Sequence, residues 1–288
     1  RIMCHEIFGT VERINTQEEL PYAVGDRAVV FPLISCASCE ACSQGDFHVC
    51  RSLQIMGLHR DGGFAQYVKA SSKSVFKVPD CLSDEEAALT EPMAVGFHAN
   101  MRAKTAFGDR VLIIGGGPIG LLSAINASMF GASKVIISEV NPERAKFCRK
   151  FGFEVFNPLE QDLETLIKSV TDGTGFDRVF EASGSAGGAL TMTEACHIRG
   201  TIVPLGIPTQ TVSYATVQMI FKELSVIGSR VYTREHFRRA LEEIARIKKN
   251  CVFDLKGIID RIIGLDELRQ GIEIQSEGKN MGKIIVEV

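Results

Sequence analysis

The sequence predicts an α/β fold, in which a doubly wound parallel sheet is joined to a smaller, β-rich unit. Three observations carry this. From residue 110 onward, short apolar or β-branched runs at 111–114, 134–138 and 201–205 alternate with helical stretches, as strands buried on both faces of a parallel sheet do. Gly115, Gly117 and Gly120 follow the first run and open a helix over about 121–130. The residues before about 80 carry instead short strands, glycine turns and a cluster of cysteines, too irregular for a helical bundle.

The 288 residues, 45% of them hydrophobic, suffice for two cored domains or one large one. A net charge of −3 leaves no basic field, which argues against nucleic acid and anionic membrane surfaces as partners. No apolar run is long enough to span a bilayer and no signal-peptide pattern is present, so a cytoplasmic protein is expected. Of nine cysteines, Cys36, Cys39, Cys42 and Cys50 sit together, while Cys4, Cys81, Cys148, Cys196 and Cys251 are dispersed. In a reducing compartment such a cluster points to a metal, and the odd count argues against complete pairing.

The chain opens on Arg1 without an initiator methionine and enters at once into what reads as the middle of a domain. His5-Glu6 is a candidate start of a metal site, although alone an adjacent His-Glu pair is more often a surface dipeptide. The absence of a second histidine four residues on excludes a helical zinc-protease motif. Neighbouring strand residues face opposite ways, so both can serve one ion only if the backbone turns there. Strands are expected at 10–14 and 28–31, with Gly25-Asp26 as the turn between them. In the segment from Cys36 through Cys39 and Cys42 to Cys50, thiolates two residues apart can wrap one ion and the fourth completes a tetrahedron. Four sulfur ligands leave no open position, so the zinc read here is structural; an iron–sulfur cluster is the other metal this donor set suits. Residues 57–68 read as a glycine turn, with His59 facing either a pocket or solvent, followed by an alternating strand. Ser83 with Glu86 three residues on is a capping-box signature. Glu91, set by Pro92, precedes a helix over about 94–103.

In the second half Gly115 supplies a tight turn, Gly117 a close approach of backbone to a pyrophosphate, and Gly120 close strand–helix packing, with the helix N-terminus facing the phosphates. The strand at 134–138 ends at Glu139, about where a carboxylate accepts hydrogen bonds from an adenosine ribose. It would repel a 2′-phosphate, so the cofactor expected is NAD rather than NADP, with the nearby Arg144 able to soften that exclusion. The alternation continues through helices at 141–151, 163–170 and 187–195 and strands at 154–156, 177–182, 201–205 and 224–228. Residues 234–248 form an amphipathic helix with a basic side, and the tail reads as strand 258–263, helix 266–276 and strand 283–288.

His5-Glu6 with Gly9 three residues on, the four-cysteine lobe, Asp61-Gly62-Gly63-Phe64, Glu91-Pro92 and the glycine turn, in this order, resemble the zinc-dependent medium-chain dehydrogenases. The resemblance covers essentially the whole chain and is nearest to the branch of sorbitol dehydrogenase, threonine 3-dehydrogenase and the bacterial sugar-acid dehydrogenases. It implies a GroES-like catalytic domain at 1–84 and 250–288 around a Rossmann domain at 85–249. It also implies a catalytic zinc held by a cysteine, His5 and a carboxylate, with Glu6 or Glu91 as third ligand or exchanging with water, and Glu91 alternatively in a proton relay. Leu205, Gly206, Ile207, Ser229 and Arg230 are expected at the nicotinamide end, and Ile119 near the pyrophosphate. Two departures stand out: Cys4 replaces the family's glycine before the histidine, and the family's cysteine ligand lies upstream of it. The expectation is that a segment before Arg1 carries that cysteine, Cys4 being the substitute otherwise. The activity implied is oxidation of a secondary alcohol on a polyol, sugar acid or hydroxy-amino acid, by a homodimer or homotetramer. Threonine 3-dehydrogenase is one alternative, and a non-catalytic NAD-binding protein keeping only the structural zinc is another.

Overall fold

In the computed structural model, which describes residues 1–288, the chain begins with β1 (Ile7–Thr10), β2 (Arg27–Val30), β3 (Leu33–Ile34), α1 (Glu40–Ser43), β4 (Gln54–Ile55) and β5 (Val75–Lys77). β1, β2 and β5 form an antiparallel sheet in that order. Ile7 lies opposite Val30 in the ladder, and both pack with Met56 in a small core. The short pair β3–β4 leads into and out of the cysteine segment. Helix α2 (Asp84–Ala88) starts as expected: the Ser83 hydroxyl accepts from the Glu86 amide at 3.3 Å, and the Glu86 carboxylate accepts from the Ser83 amide at 2.9 Å. Helix α3 (Thr90–Ala103) follows.

The next stretch alternates without exception: β6 (Arg110–Ile114), α4 (Pro118–Met129), β7 (Lys134–Ser138), α5 (Pro142–Lys150), β8 (Glu154–Phe156), α6 (Leu163–Thr171), β9 (Phe176–Glu181), α7 (Ala186–Ala195), β10 (Cys196–Pro204), α8 (Thr216–Phe221) and β11 (Ser225–Val226). The six strands run parallel in the order β11-β10-β9-β6-β7-β8. Strand order therefore reverses between β6 and β9, the place in an open α/β sheet where ligands bind. Leu112, Ile136, Val179 and Ile202, one from each of four adjacent strands, are buried in one core cluster. The chain closes with α9 (Arg234–Asn250), β12 (Ile259–Gly264), α10 (Leu268–Ser276) and β13 (Lys283–Glu287), the last pairing parallel with β12. No helix is long and apolar enough to cross a membrane.

The contacts divide the chain into Arg1–Ala94 with Val231–Val288, and Val95–Arg230. The expected boundaries at 84/85 and 249/250 thus differ from those drawn by contacts. The reason lies in packing: the Phe237 ring of α9 packs edge-on to Phe31 at 5.6 Å and tilted against Phe76 at 5.4 Å, and Lys248 pairs with Glu86 at 2.8 Å, so both α9 and α2 belong with the first unit. Three local expectations are corrected. The strand placed at 10–14 lies at Ile7–Thr10, where an antiparallel partner is available, and 64–68 forms no strand. The helix placed at 94 already begins at Thr90, with Pro92 tolerated in its first turn, where its missing N–H has no intrahelical acceptor.

Candidate functional site

The four lobe cysteines converge as their spacing predicts. Sγ–Sγ separations are 4.0 Å for Cys36–Cys42, 3.6 Å for Cys39–Cys42, 3.9 Å for Cys39–Cys50 and 3.4 Å for Cys36–Cys50. A tetrahedral zinc with Zn–S of about 2.3 Å requires about 3.8 Å between sulfurs, so the donor set fits that ion and closes around it. Backbone and hydroxyl donors of Ser38 pull the Cys36 thiol down to about 5, which favours the thiolate a metal needs. The Cys36 amide donates to Cys50 Sγ at 3.3 Å.

A second cluster forms around His5. Residues 5 and 6 occupy a bend just before β1, so the backbone does turn there, and the donor atoms of His5, Glu6 and Glu91 all lie within 4.8 Å of one another. His5 Nε2 is 3.9 Å from Glu91 Oε1. Burial lowers the pKa of His5, leaving a neutral ring with a lone pair to give. Glu91, on the first turn of α3, is pushed up to about 8 by burial and by the charge of Glu6. One nitrogen and two carboxylates at this spacing suit a zinc that keeps a coordination position open.

Two residues that the sequence reading passed over complete this cluster. The fully buried Tyr232 donates its hydroxyl to Glu91 Oε1 at 2.7 Å, and Lys283 Nζ donates to Glu6 Oε1 at 2.6 Å. Burial works against the Lys283 ammonium, yet the Glu6 charge keeps its pKa above the ordinary lysine value. No local pattern marks either residue. Cys4 stands apart from the donor set: its Sγ points to the Glu6 carbonyl at 3.3 Å, and burial raises its thiol to about 11. Its φ of +84° is one that glycine adopts without strain, and its backbone is pressed by Gly57 and Gly62, where any Cβ would collide with the Cys4 carbonyl. Of the two orientations open to His59 the solvent-facing one is found: the residue is exposed, with Nδ1 accepting from the Ile55 amide at 3.1 Å.

In the second unit the glycine turn has the expected construction. Gly115 has φ +102°, a Cβ on Gly120 would run into the Gly115 carbonyl, and the Cβ direction of Gly117, the N-cap of α4, meets nothing within 4 Å. Glu139, one residue past β7, is buried and accepts from Gly116 N and Asn141 N, both at 2.8 Å, with Arg144 Nη1 at 3.7 Å. Ile119 lies in the first turn of α4, Leu205, Gly206 and the exposed Ile207 follow β10, and Ser229 and Arg230 follow β11. All but Arg144 thus sit at or beyond carboxyl ends of strands of the sheet, and Arg144 on α5 reaches Glu139.

Residues 118–246 match the zinc-binding dehydrogenase family and residues 1–80 the alcohol dehydrogenase GroES-like domain. The chain is 34% identical to 2-dehydro-3-deoxy-L-galactonate 5-dehydrogenase of Pseudoalteromonas atlantica, over 92% of this chain and 76% of that protein. It is 32% identical to L-threonine 3-dehydrogenase of Rhizobium johnstonii, over 99% and 81%. Among solved structures, 2R,3R-butanediol dehydrogenase of Bacillus subtilis superposes with a TM-score of 0.89 at 29% identity, covering 99% of this chain and 80% of that one. With fold, motif order and relatives in agreement, the chain belongs to the zinc-dependent medium-chain dehydrogenase family.

Proposed function

We propose that the protein oxidises a secondary alcohol on a polyol, sugar acid or hydroxy-amino acid and passes the hydride to NAD. The observation that carries this is the convergence of His5, Glu6 and Glu91 on one point, in a chain that also presents a dinucleotide turn. The three curated or solved relatives named above act on a sugar acid, a hydroxy-amino acid and a diol, which supports the substrate class. Zinc held by these three donors would supply Lewis acidity that lowers the alcohol pKa. His5 contributes a neutral nitrogen, and Lys283 holds Glu6 in place. Tyr232 holds Glu91 Oε1, on a carboxyl whose high pKa suits it to carry a proton near neutrality. Cys36, Cys39, Cys42 and Cys50 hold the structural zinc. Gly115, Gly117, Ile119 and Gly120 receive the pyrophosphate. Glu139 takes the adenosine ribose and favours NAD over NADP. Leu205, Gly206, Ile207, Ser229 and Arg230 line the nicotinamide end.

Val217, Ile220, Phe221 and Val226 leave an exposed apolar surface at the β11 edge, which supports assembly into a homodimer or homotetramer. None of the nine cysteines is disulfide-bonded, which supports a cytoplasmic location. The test is NADH formation with purified protein against polyols, sugar acids and threonine, together with metal stoichiometry. Two zincs per chain and turnover of one of these alcohols is the expected result. One zinc, bound NAD and no turnover would make the protein a cofactor binder.

A further inference from the structure

Two buried carboxylates flank the point where strand order reverses, and they are neutralised differently. Glu139, beyond β7, has Arg144 beside it at 3.7 Å. Glu181, the last residue of β9, has only dipoles. Its Oε1 accepts from the Ser183 amide at 2.9 Å and from the Ser183 hydroxyl, and both its oxygens lie 3.1 Å from the Gly184 amide. Every one of these partners donates, so the ionised carboxylate is the form that satisfies them. Its own carbonyl accepts from Leu205 N at 2.7 Å and Gly206 N at 2.8 Å, which ties the loop after β10 to the loop after β9. A Cβ on Gly206 would sit 2.9 Å from Glu181 Oε2, and one on Gly115 would sit 2.9 Å from Ser183 N, so the carboxylate, both loops and the glycine turn form one packed edge.

A dinucleotide lying across this crevice has its pyrophosphate on the turn before α4 and its adenosine toward β7, so its other half runs over the ends of β9 and β10. That half carries a positive charge in the oxidised nicotinamide and none in the reduced one. An anion whose charge is offset only by fixed dipoles therefore distinguishes the two redox forms. We infer that Glu181 biases this site toward the oxidised cofactor relative to the reduced one, a role beyond holding its own loop. The inference rests on the NAD-binding reading above.

The measurement is the ratio of dissociation constants for NAD⁺ and NADH, each from calorimetric titration of the purified protein. A unit charge removed at ~10 Å in a near-surface dielectric is worth on the order of tenfold in affinity. Glu181→Gln should therefore raise the NAD⁺/NADH ratio about tenfold, while Glu181→Asp, which keeps the charge, should leave it near the wild-type value. Loosened loops alone would weaken both forms alike and leave the ratio unmoved, which overturns the inference. Should Glu181→Gln fail to fold, Ser185→Lys decides. Ser185 is exposed, its Oγ is 2.8 Å from Ser183 Oγ, and a lysine there sets a cation beside Glu181; the lost α7 cap affects both redox forms equally. A ratio raised in Ser185→Lys supports the inference, and an unchanged ratio overturns it. Wild-type protein that binds neither form would overturn the NAD reading itself, and this inference with it.

Discussion

Replacing Lys283 by methionine keeps most of the side-chain volume and deletes its charge, leaving Glu6 and Glu91 beside each other with donor atoms within 4.8 Å. Below about pH 8 Glu91 holds its proton and Glu6 alone loses its cation; above it both are ionised, and at an effective dielectric of about 20 two like charges at that distance repel by about 3 kcal/mol. The ammonium that offsets this lies 2.6 Å from Glu6 Oε1, with the two side chains 21% and 23% exposed, which trims the effect without cancelling it. Melted above pH 8, where Glu91 is ionised, metal-free Lys283→Met protein should therefore be about 2–3 kcal/mol less stable, a fall of about 5–10 °C in Tm. The same substitution removes a cation from beside the donors proposed for zinc, so the affinity of this site for zinc should rise about tenfold or more. Calorimetric melts of chelator-treated protein read the first effect, and competition against a chromophoric chelator reads the second. Lys283→Arg should resemble wild type in both. An unchanged melt, or zinc bound more weakly, would refute the claim that Lys283 balances the charge of this cluster.

Other outcomes follow from the same geometry. Glu91, whose ordinary value is 4.5, keeps its proton up to about 8 in the folded chain because it is buried beside Glu6. Between those two values the unfolded chain has lost the proton and the folded chain retains it, so the contribution of Glu91 to the stability of metal-free protein is fully present below pH 4.5 and falls by up to about 5 kcal/mol by pH 8. Denaturant melts across that range should show the decline, and Glu91→Gln should flatten it. Cys39→Ser should cost one zinc by elemental analysis and expose the 36–50 lobe to proteolysis, since only Cys42 and Cys50 of that segment are buried; retention of full metal content would refute the assignment. Glu139→Ser should raise relative use of NADP about tenfold or more in KM comparisons, because Arg144 would then lack its carboxylate partner.

The parallel sheet was legible because its strands are buried on both faces, so composition alone marks them. β7 and β8 lie at 134–138 and 154–156 as read. The first half of β10 escaped notice because its register shifts between Cys196 and Thr201 and Arg199 there takes a φ of +62°. The cysteine lobe was legible because chemistry fixes its spacing. In the outer sheet, β1 was misplaced because only the pairing with β2 selects its four residues from a mixed polar stretch. Tyr232 and Lys283 were beyond reach for a simpler reason: they meet their partners across 141 and 277 residues of sequence, and nothing local distinguishes them from any other tyrosine or lysine.

That last separation has a consequence for how the protein comes into being on the ribosome. The unit Val95–Arg230 is continuous and can fold as soon as it emerges, whereas the unit containing His5 and Glu6 also needs Val231–Val288. Domains form N-terminal first during synthesis at about 5–20 residues per second, and contacts of high sequence separation close late. Until β13 is released, Glu6 lacks the ammonium of Lys283, and a nascent chain holds its cofactor-binding half ready while its metal-donor cluster is still unassembled. Chains broken off before β13 should therefore be recognisable to proteases by a loosened first unit beside a resistant second one, a pattern that limited digestion of stalled translation products can display.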